Sequence, residues 1–548
     1  MSKNISELSG RQGLDNNLFE NLGQAAQADG TPSKESMAQM AKEFLIGKAN
    51  VYGSASFYDF TRESNRGKKA YVCSGSACLT AGTQNQVRSA LNNTFGEDHV
   101  GDMCCMGRCH EQGAFHMDGV NYSGGDLDRL SELTPEDGIR DFTVSGTGAQ
   151  ILTAEFPGLD TYYQTLRDAL TQAPEEILNE IDASQVRGRG GAGFPMGFKL
   201  QACRKEDSDL KFIICNADEG DPGAYSDGYL LEQRPHSVLL GMLLAGYAAG
   251  ANWGVLYIRA EYPESIRIIE DAIATLREQG YCGGDILNSG FDFDFKVIRA
   301  QGAYVCGEET ALINSIEGQR PEVRVRPPYP AQEGLFNKPT VVNNVETLAC
   351  LPYIISQGGA AFANIGTAQS KGTKLVCLDG HFNRPGMYEV DMGTSFDQVV
   401  HELGGGFKQP VKALHVGGPL GGLIPMDQVD NLSIDFESFK TSGFLLGHAS
   451  VVSIPESFPL IEYIQHLFEF TAHESCGKCF PCRLGSKRGS ELIAKSRSEG
   501  YQIDRELFDD LLTTLEQGSL CALGGGLPLP IKNALQYFGD ELNPHFQS

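Results

Sequence analysis

Residues 210–223 read Leu210-Lys-Phe-Ile-Ile-Cys215-Asn216-Ala-Asp218-Glu219-Gly-Asp221-Pro-Gly223. A short apolar run ends abruptly in an amide and three carboxylates, the pattern of a buried strand that delivers polar groups at its C-terminal end. Working outward, Gly254–Ile258 and Asp294–Arg299 read as further strands, and Ser237–Ala249 and Pro263–Glu278 as helices. That alternation predicts a layered α/β domain, in which ligands bind outside the carboxyl ends of the strands. A second such end carries Gly307-Glu308-Glu309-Thr310. Upstream lies a glycine loop, Arg187-Gly188-Arg189-Gly190-Gly-Ala-Gly193-Phe194, preceded by a helix from Thr161 to Ile181 rather than a strand. Its formal G-x-G-x-x-G is therefore not the usual dinucleotide fingerprint. Consecutive glycine amides bracketed by Arg187, Arg189 and Lys199 nevertheless suit a phosphate. Each loop alone also reads as a solvated turn. Three in one domain point to a site.

The 548 residues predict three or four domains at about 150 residues each. The 65 glycines show no collagen period, so they mark turns and close backbone approaches. With 44 Lys+Arg against 70 Asp+Glu, the net charge of −26 argues against a nucleic-acid partner. The run Val238–Ala251 is 14 residues long and interrupted by glycine, which suits a buried helix and leaves no membrane span. The polar N-terminus lacks an apolar signal core, so the expected location is cytoplasmic, where thiols stay reduced. Fifteen cysteines then need a use other than disulfides.

Their spacing supplies one. Cys476-Gly-Lys-Cys479-Phe-Pro-Cys482 places three thiolates in two overlapping CxxC steps, and Cys521 follows at a distance. That is how a [4Fe–4S] cubane is held, one cysteine per iron. Four thiolates also make a structural zinc site, but zinc favours two separate CxxC knuckles. A second set is Cys73-Ser-Gly-Ser-Ala-Cys78 with Cys105-Met-Gly-Arg-Cys109. Two loops giving two thiolates each clamp a flat [2Fe–2S] cluster. Cys104 competes with Cys105 for this role. Only one of two neighbours along an extended chain faces the cluster, and Cys105 is the expected ligand.

Element signals divide the chain as follows: an N-terminal helical segment over 1–50, a small α/β unit over 51–133, and a polar, turn-rich linker over 134–160. The α/β ligand domain spans 161–371, a small α+β domain 372–455, and a helical domain 456–548. The cysteine-free linker makes the N-terminal unit separable from the rest.

Together, GRGGAGFPMG, CNADEGDPGAYSD, GAYVCGEETALINSIEG, NKPTVVNNVETLA and ESCGKCFPCR…SLCALG resemble the NADH-binding flavoprotein subunit of respiratory complex I. The same module occurs in NAD-reducing hydrogenases and NAD-dependent formate dehydrogenases. The resemblance covers roughly 160–548. Residues 1–133 resemble the thioredoxin-like [2Fe–2S] subunit of the same machinery, here fused in front. The fold implied is multidomain α/β: a helical N-terminus, a thioredoxin-like ferredoxin domain, a Rossmann-like FMN domain, a β-grasp-like (SLBB) domain and a C-terminal helical bundle holding the cubane.

By motif position, the resemblance implies that Gly188, Arg189, Gly190, Lys199, Asn216, Asp218, Glu219, Gly307, Glu308, Asn343, Asn344 and Thr347 hold FMN. NAD(H) is expected against Phe194 and Tyr329, with Asp221 and Glu309 as hydrogen-bond partners. Ala202 stands where relatives carry an aromatic, Tyr329 replaces a more usual Phe, and Met196 stands where Thr is common. The function implied is a diaphorase: reversible hydride transfer between NAD(H) and FMN, then single electrons to the clusters. No acid–base catalytic residue is expected, because the hydride passes directly to the flavin. The partners implied are further iron–sulfur subunits and a formate dehydrogenase or hydrogenase catalytic subunit. The alternatives are a complex I-type or electron-bifurcating NADH module, and a non-catalytic iron–sulfur scaffold or redox sensor.

Overall fold

The computed structural model describes residues 13–547; residues 1–12 of the expected N-terminal segment lie outside the described residues. The rest of that segment forms helices Leu18–Asp29, Lys34–Glu43 and Lys48–Ala55, the second capped by Ser33. Next come β1 (Ala70–Cys73), β2 (Val100–Met103), β3 (Phe115–Met117) and β4 (Val120–Tyr122), in the sheet order β2-β1-β3-β4. Since β1 and β2 are parallel, the loops after Cys73 and Met103 leave the same edge of the sheet. This arrangement brings the two cysteine pairs onto neighbouring loops.

The expected linker contains a strand, β5 (Val144–Thr147). The ligand domain is built on β6 (Phe212–Ala217), β7 (Trp253–Ile258), β8 (Asp294–Arg299) and β9 (Thr340–Asn344). All four are parallel, in the order β8-β7-β6-β9. The order reverses between β6 and β9, the kind of switch point where open α/β sheets bind ligands. The register puts Asn216 beside Asn344 and Cys215 beside Asn343 at that point. Helix Pro235–Ala249, apolar on every side, is buried against β6 and β7. Among the described residues, no helix is long and apolar enough to cross a membrane.

The third sheet contains β10 (Thr373–Leu378), β11 (Gly386–Asp391), β12 (Val411–Val416), β13 (Gly422–Pro425) and β14 (Ser450–Pro455). Its order is β13-β12-β14-β10-β11-β5. Residues 134–160 thus differ from the expected linker, because Val144–Thr147 pairs in parallel with β11. Glu389 of β11 is fully buried and accepts the amides of Ile151, Leu152 and Thr153 at 2.9–3.1 Å. The hydroxyls of Thr153 and Thr373 complete its shell. A four-residue strand with no apolar alternation leaves little trace in a sequence, and its partner is more than 200 positions away. The C-terminal helices Leu460–Glu474, Ser486–Glu499, Arg505–Gly518 and Pro528–Tyr537 follow the apolar periodicity closely. Their core includes Leu467, Phe468, Ile493, Phe508 and Leu512.

A chain beginning at Asp160 loses β5 and the amides that satisfy Glu389, while Glu389→Ala loses the acceptor itself. Both are expected to lower the urea midpoint of unfolding, the substitution by the equivalent of about 3 kcal/mol. Unchanged midpoints in both would mean that this segment is a free linker after all.

Candidate functional site

The glycine loop closes on itself, with Gly188 N–H donating to the Phe194 carbonyl at 2.9 Å and Met196 N–H to Val186 at 3.1 Å. Gly191 and Gly193 have φ of +114° and +59°, a region that favours glycine. A Cβ on Gly190 would meet Asn344 at 3.0 Å, so the loop lies directly against the end of β9. The Arg189 amide donates to Thr347 Oγ1 at 2.8 Å. Arg189 itself is fully buried; one guanidinium nitrogen reaches the Lys371 carbonyl, while Nε and Nη1 have no partner among the described residues. Arg187 is committed elsewhere, to the Gly193 carbonyl, to Glu437 at 2.5 Å and to the Phe436 ring.

Around the switch point, Asn216 donates to the Gly307 carbonyl at 2.8 Å. Glu308 caps helix Glu309–Ile316 through the Thr310 and Ala311 amides, both at 2.9 Å. Asn344 caps helix Val345–Ala349 and donates to Asp227 at 2.7 Å. Burial pushes the Asp218 carboxyl well above the usual range, and its Oδ2 has no partner among the described residues; nor does Asn343 Nδ2. Buried polar groups are normally hydrogen-bonded. A cradle offering a guanidinium, an amide and a protonatable carboxyl without protein partners fits a flavin phosphate with its polar tail and ring.

At the mouth of the cradle, Phe194 and Tyr329 are exposed, and Phe198 forms an edge-on pair with Phe194 at 5.6 Å. Lys199 binds Glu309 at 3.2 Å and the Val342 carbonyl at 3.1 Å. Arg326 binds Glu309 at 2.7 Å from the other side. Asp221 is held by the Tyr304 hydroxyl at 2.7 Å. Phe198, Arg326 and Tyr304 are not among the residues that the sequence marks. Phe198 lies in the first turn of helix Met196–Lys205, just after the glycine loop, which is how its ring meets Phe194.

Glu219 departs from its expected role. Its carboxylate accepts Ser226 Oγ at 3.2 Å, the amides of Asp227 and Gly228 at 2.9 and 3.1 Å, and the Tyr262 hydroxyl at 3.0 Å. It therefore caps helix Ser226–Gln233 and takes four donors within the chain. His448, from the loop before β14, lies 3.9 Å from Glu219 and 3.6 Å from Asp227. These three have the donor set of a metal site, with ligand atoms within 4.8 Å of one another. Filled acceptors on Glu219 favour an imidazolium instead. Burial alone would deprotonate His448, but Asp227 and then Glu219 push its pKa up to about 9. Burial, with Asp227 adding to it and His448 opposing, pushes Glu219 up to about 7.

Of the cysteines in the N-terminal unit, Cys105 and Cys109 have sulfurs 3.3 Å apart, and Cys73 is within thiol hydrogen-bonding reach of Cys105 and Cys78. All four are buried. Cys104 stays outside that group; its carbonyl accepts from Arg259. The Gly223 amide donates to Cys109 Sγ at 3.2 Å, so the loop after β6 touches this group directly. In the helical domain, Cys476, Cys479 and Cys482 lie together and Cys521 lies close enough to interact with Cys476 and Cys482. Burial pushes the Cys482 thiol up to about 11 and Cys521 to about 12, with Glu308 adding to the latter. Two quartets of thiols without bridging disulfides fit thiolate-held clusters. Between the quartets, Tyr304 joins Asp221 through its hydroxyl and Glu474 through its amide, the latter at 2.8 Å.

Three family models match the chain: the Nuo51 FMN-binding domain over 181–353, the NADH-ubiquinone oxidoreductase-F iron-sulfur binding region over 462–545, and the thioredoxin-like [2Fe-2S] ferredoxin over 5–134. An NADH-quinone oxidoreductase F-type subunit of Rhizobium meliloti is 42% identical over 389 residues, 70% of this chain and 92% of the relative. The NADP-reducing hydrogenase subunit HndC of Solidesulfovibrio fructosivorans is 42% identical over 386 residues, 70% of this chain and 78% of that protein. A chain of an NAD+-reducing [NiFe]-hydrogenase in the H2-reduced state superposes with a TM-score of 0.86 at 29% identity, covering 97% of this chain and 93% of the other.

The buried imidazolium generates a pH test. A histidine held at about 9 in the fold stabilises fully below its ordinary 6.5, and that stabilisation is lost as pH rises through 9. Glu219, raised from 4.5 to about 7, likewise makes stability fall as pH rises between those values. Thermal midpoints of the wild type and His448→Gln should differ most at about pH 6 and converge at about pH 10. A difference that is constant across this range would mean that His448 is neutral in the fold.

Proposed function

The chain belongs to the family of NADH-quinone oxidoreductase F-type subunits, and we propose that its 188–347 cradle is where NADH gives up its electrons. FMN bound there would supply the conversion between the two electrons of NADH and the single electrons that iron–sulfur clusters accept. Gly188 and Gly190, with the glycine-loop amides, would hold the phosphate, and the free guanidinium nitrogens of Arg189 would neutralise it. Asn216, Asp218, Asn343 and Asn344 would bind the polar tail and ring edge, with Gly307 and Thr347 shaping the wall. Lys199, Glu308, Glu309 and Arg326 form the charged rim. Phe194, Phe198 and Tyr329 would cover the nicotinamide nucleotide, and Asp221 would meet its polar groups. Glu219 serves as a buttress behind the loop. No side chain is required to move a proton, so the residues act by placing two rings against each other.

Cys73, Cys78, Cys105 and Cys109 are proposed to hold the [2Fe–2S] cluster, and Cys476, Cys479, Cys482 and Cys521 the [4Fe–4S] cluster. The observation that carries this reading is that the loop after β6 reaches both quartets: the Gly223 amide bonds Cys109, and Asp221 is joined through Tyr304 to Glu474, two residues before Cys476. The electrons are proposed to leave through an iron–sulfur subunit to a hydrogenase or formate dehydrogenase subunit in the cytoplasm. A fused N-terminal unit and a superposition over 97% of the chain support that setting over a membrane-bound one.

Anaerobically purified protein is expected to hold one FMN and about six irons, four plus two. In Cys482→Ser the cubane signal should vanish, with iron content falling well below six, while NADH-driven ferricyanide reduction stays within about twofold. If NADH no longer bleaches the flavin in that variant, the division of labour proposed here is wrong.

A further inference from the structure

The turn after β7 reads Arg259-Ala-Glu261-Tyr262, and Arg259, Glu261 and Tyr262 are all buried. Arg259 and Glu261 form an ion pair of 3.0 Å. The Arg259 guanidinium also donates to two carbonyls in different units: that of Glu219, in the loop after β6, and that of Cys104, at 3.1 Å. Asn121 of β4 donates to the Glu261 carbonyl at 2.6 Å. The Tyr262 hydroxyl binds Glu219, and its ring lies where a Cβ on Gly107 would sit. One turn therefore joins the cradle loop to the cysteine loop, and a charge pair sits at the join.

A buried ion pair is weak evidence for stability, because desolvation offsets the attraction between its partners. Hydrogen bonds to two carbonyls do not need a guanidinium opposed by a carboxylate. What the pair does supply is a desolvated field. The guanidinium sits on the carbonyl of Cys104, next to Cys105, on one side and on that of Glu219, next to Asp218, on the other. A cluster on four thiolates is negative, and becomes more so on taking an electron. A cation held in a dry setting nearby stabilises the reduced form, and net charge is among the factors that set such potentials.

We propose that Arg259 is a positioning residue that raises the reduction potential of the [2Fe–2S] cluster relative to the flavin site, with Glu261 partly opposing it. This rests on the reading of Cys73, Cys78, Cys105 and Cys109 as cluster ligands.

The test uses full-length protein, kept anaerobic at an NADH:NAD+ ratio that half-reduces the wild-type cluster. Electron paramagnetic resonance reads the reduced fraction, normalised to cluster content. Arg259→Gln is expected to lower that fraction about threefold, Arg259→Lys to restore most of it, and Glu261→Gln to raise it. Opposite signs are the mark of a charge, since a packing role would lower cluster content in both variants and leave the normalised fraction unmoved. An unchanged fraction in Arg259→Gln, or a fall in Glu261→Gln, overturns the inference. If Arg259→Gln does not retain its cluster, Glu261→Gln decides by the same criterion. Wild-type protein without any [2Fe–2S] signal would instead overturn the ligand assignment, and this inference with it.

Discussion

The carboxylate of Glu219 has almost no contact with solvent, and everything around it is arranged to make that tolerable. An isolated buried carboxylate costs several kcal/mol, and only full hydrogen bonding with a nearby cation offsets it. Here two amides open a helix, a serine and a tyrosine add hydroxyls, and His448 stands 3.9 Å away as the cation. Those donors come from three parts of the fold: the helix after the β6 loop, the turn after β7 and the third sheet. Satisfying one charge therefore fixes the loop that carries Asp218, Asp221 and Gly223 against all of its neighbours.

That rigidity matters because electron transfer asks for placement and little else. Asp218 stands at the switch point of the parallel sheet, Asp221 is tied to Tyr304, and Gly223 reaches Cys109. Tyr304 continues to Glu474, two residues before the first cysteine of the second quartet. A short stretch of backbone thus touches the cradle and one quartet and lies a tyrosine away from the other. The family's NADH, flavin and iron–sulfur chemistry needs such proximity, and here it depends on buried polar groups more than on apolar packing.

Much of this was legible in the sequence where the signal is local. Cysteine spacing marked both quartets, and apolar runs marked the strands and the C-terminal helices. The glycine loop stood out because its amides and flanking arginines occur together. What escaped was nonlocal. Val144–Thr147 carries no alternation, and only its pairing with β11 makes it a strand. Glu219 lies in an acidic loop that reads the same whether a carboxylate meets a ligand or caps a helix that begins seven positions later. His448 and Asp227 are 221 residues apart in the chain, and Arg259 meets Cys104 across 155. Nothing in the local composition of either stretch announces such a partner.

The most direct test of the central claim, that one buried scaffold sets flavin and cubane within electron-transfer reach, is an anaerobic titration with NADH alone. Visible absorption follows the flavin and electron paramagnetic resonance follows the clusters, with no mediator present. The expected result is a reduced [4Fe–4S] signal that grows in step with flavin bleaching. A flavin that bleaches fully while the cubane stays oxidised, and is reduced only when a mediator dye at the same potential is added, would contradict that placement.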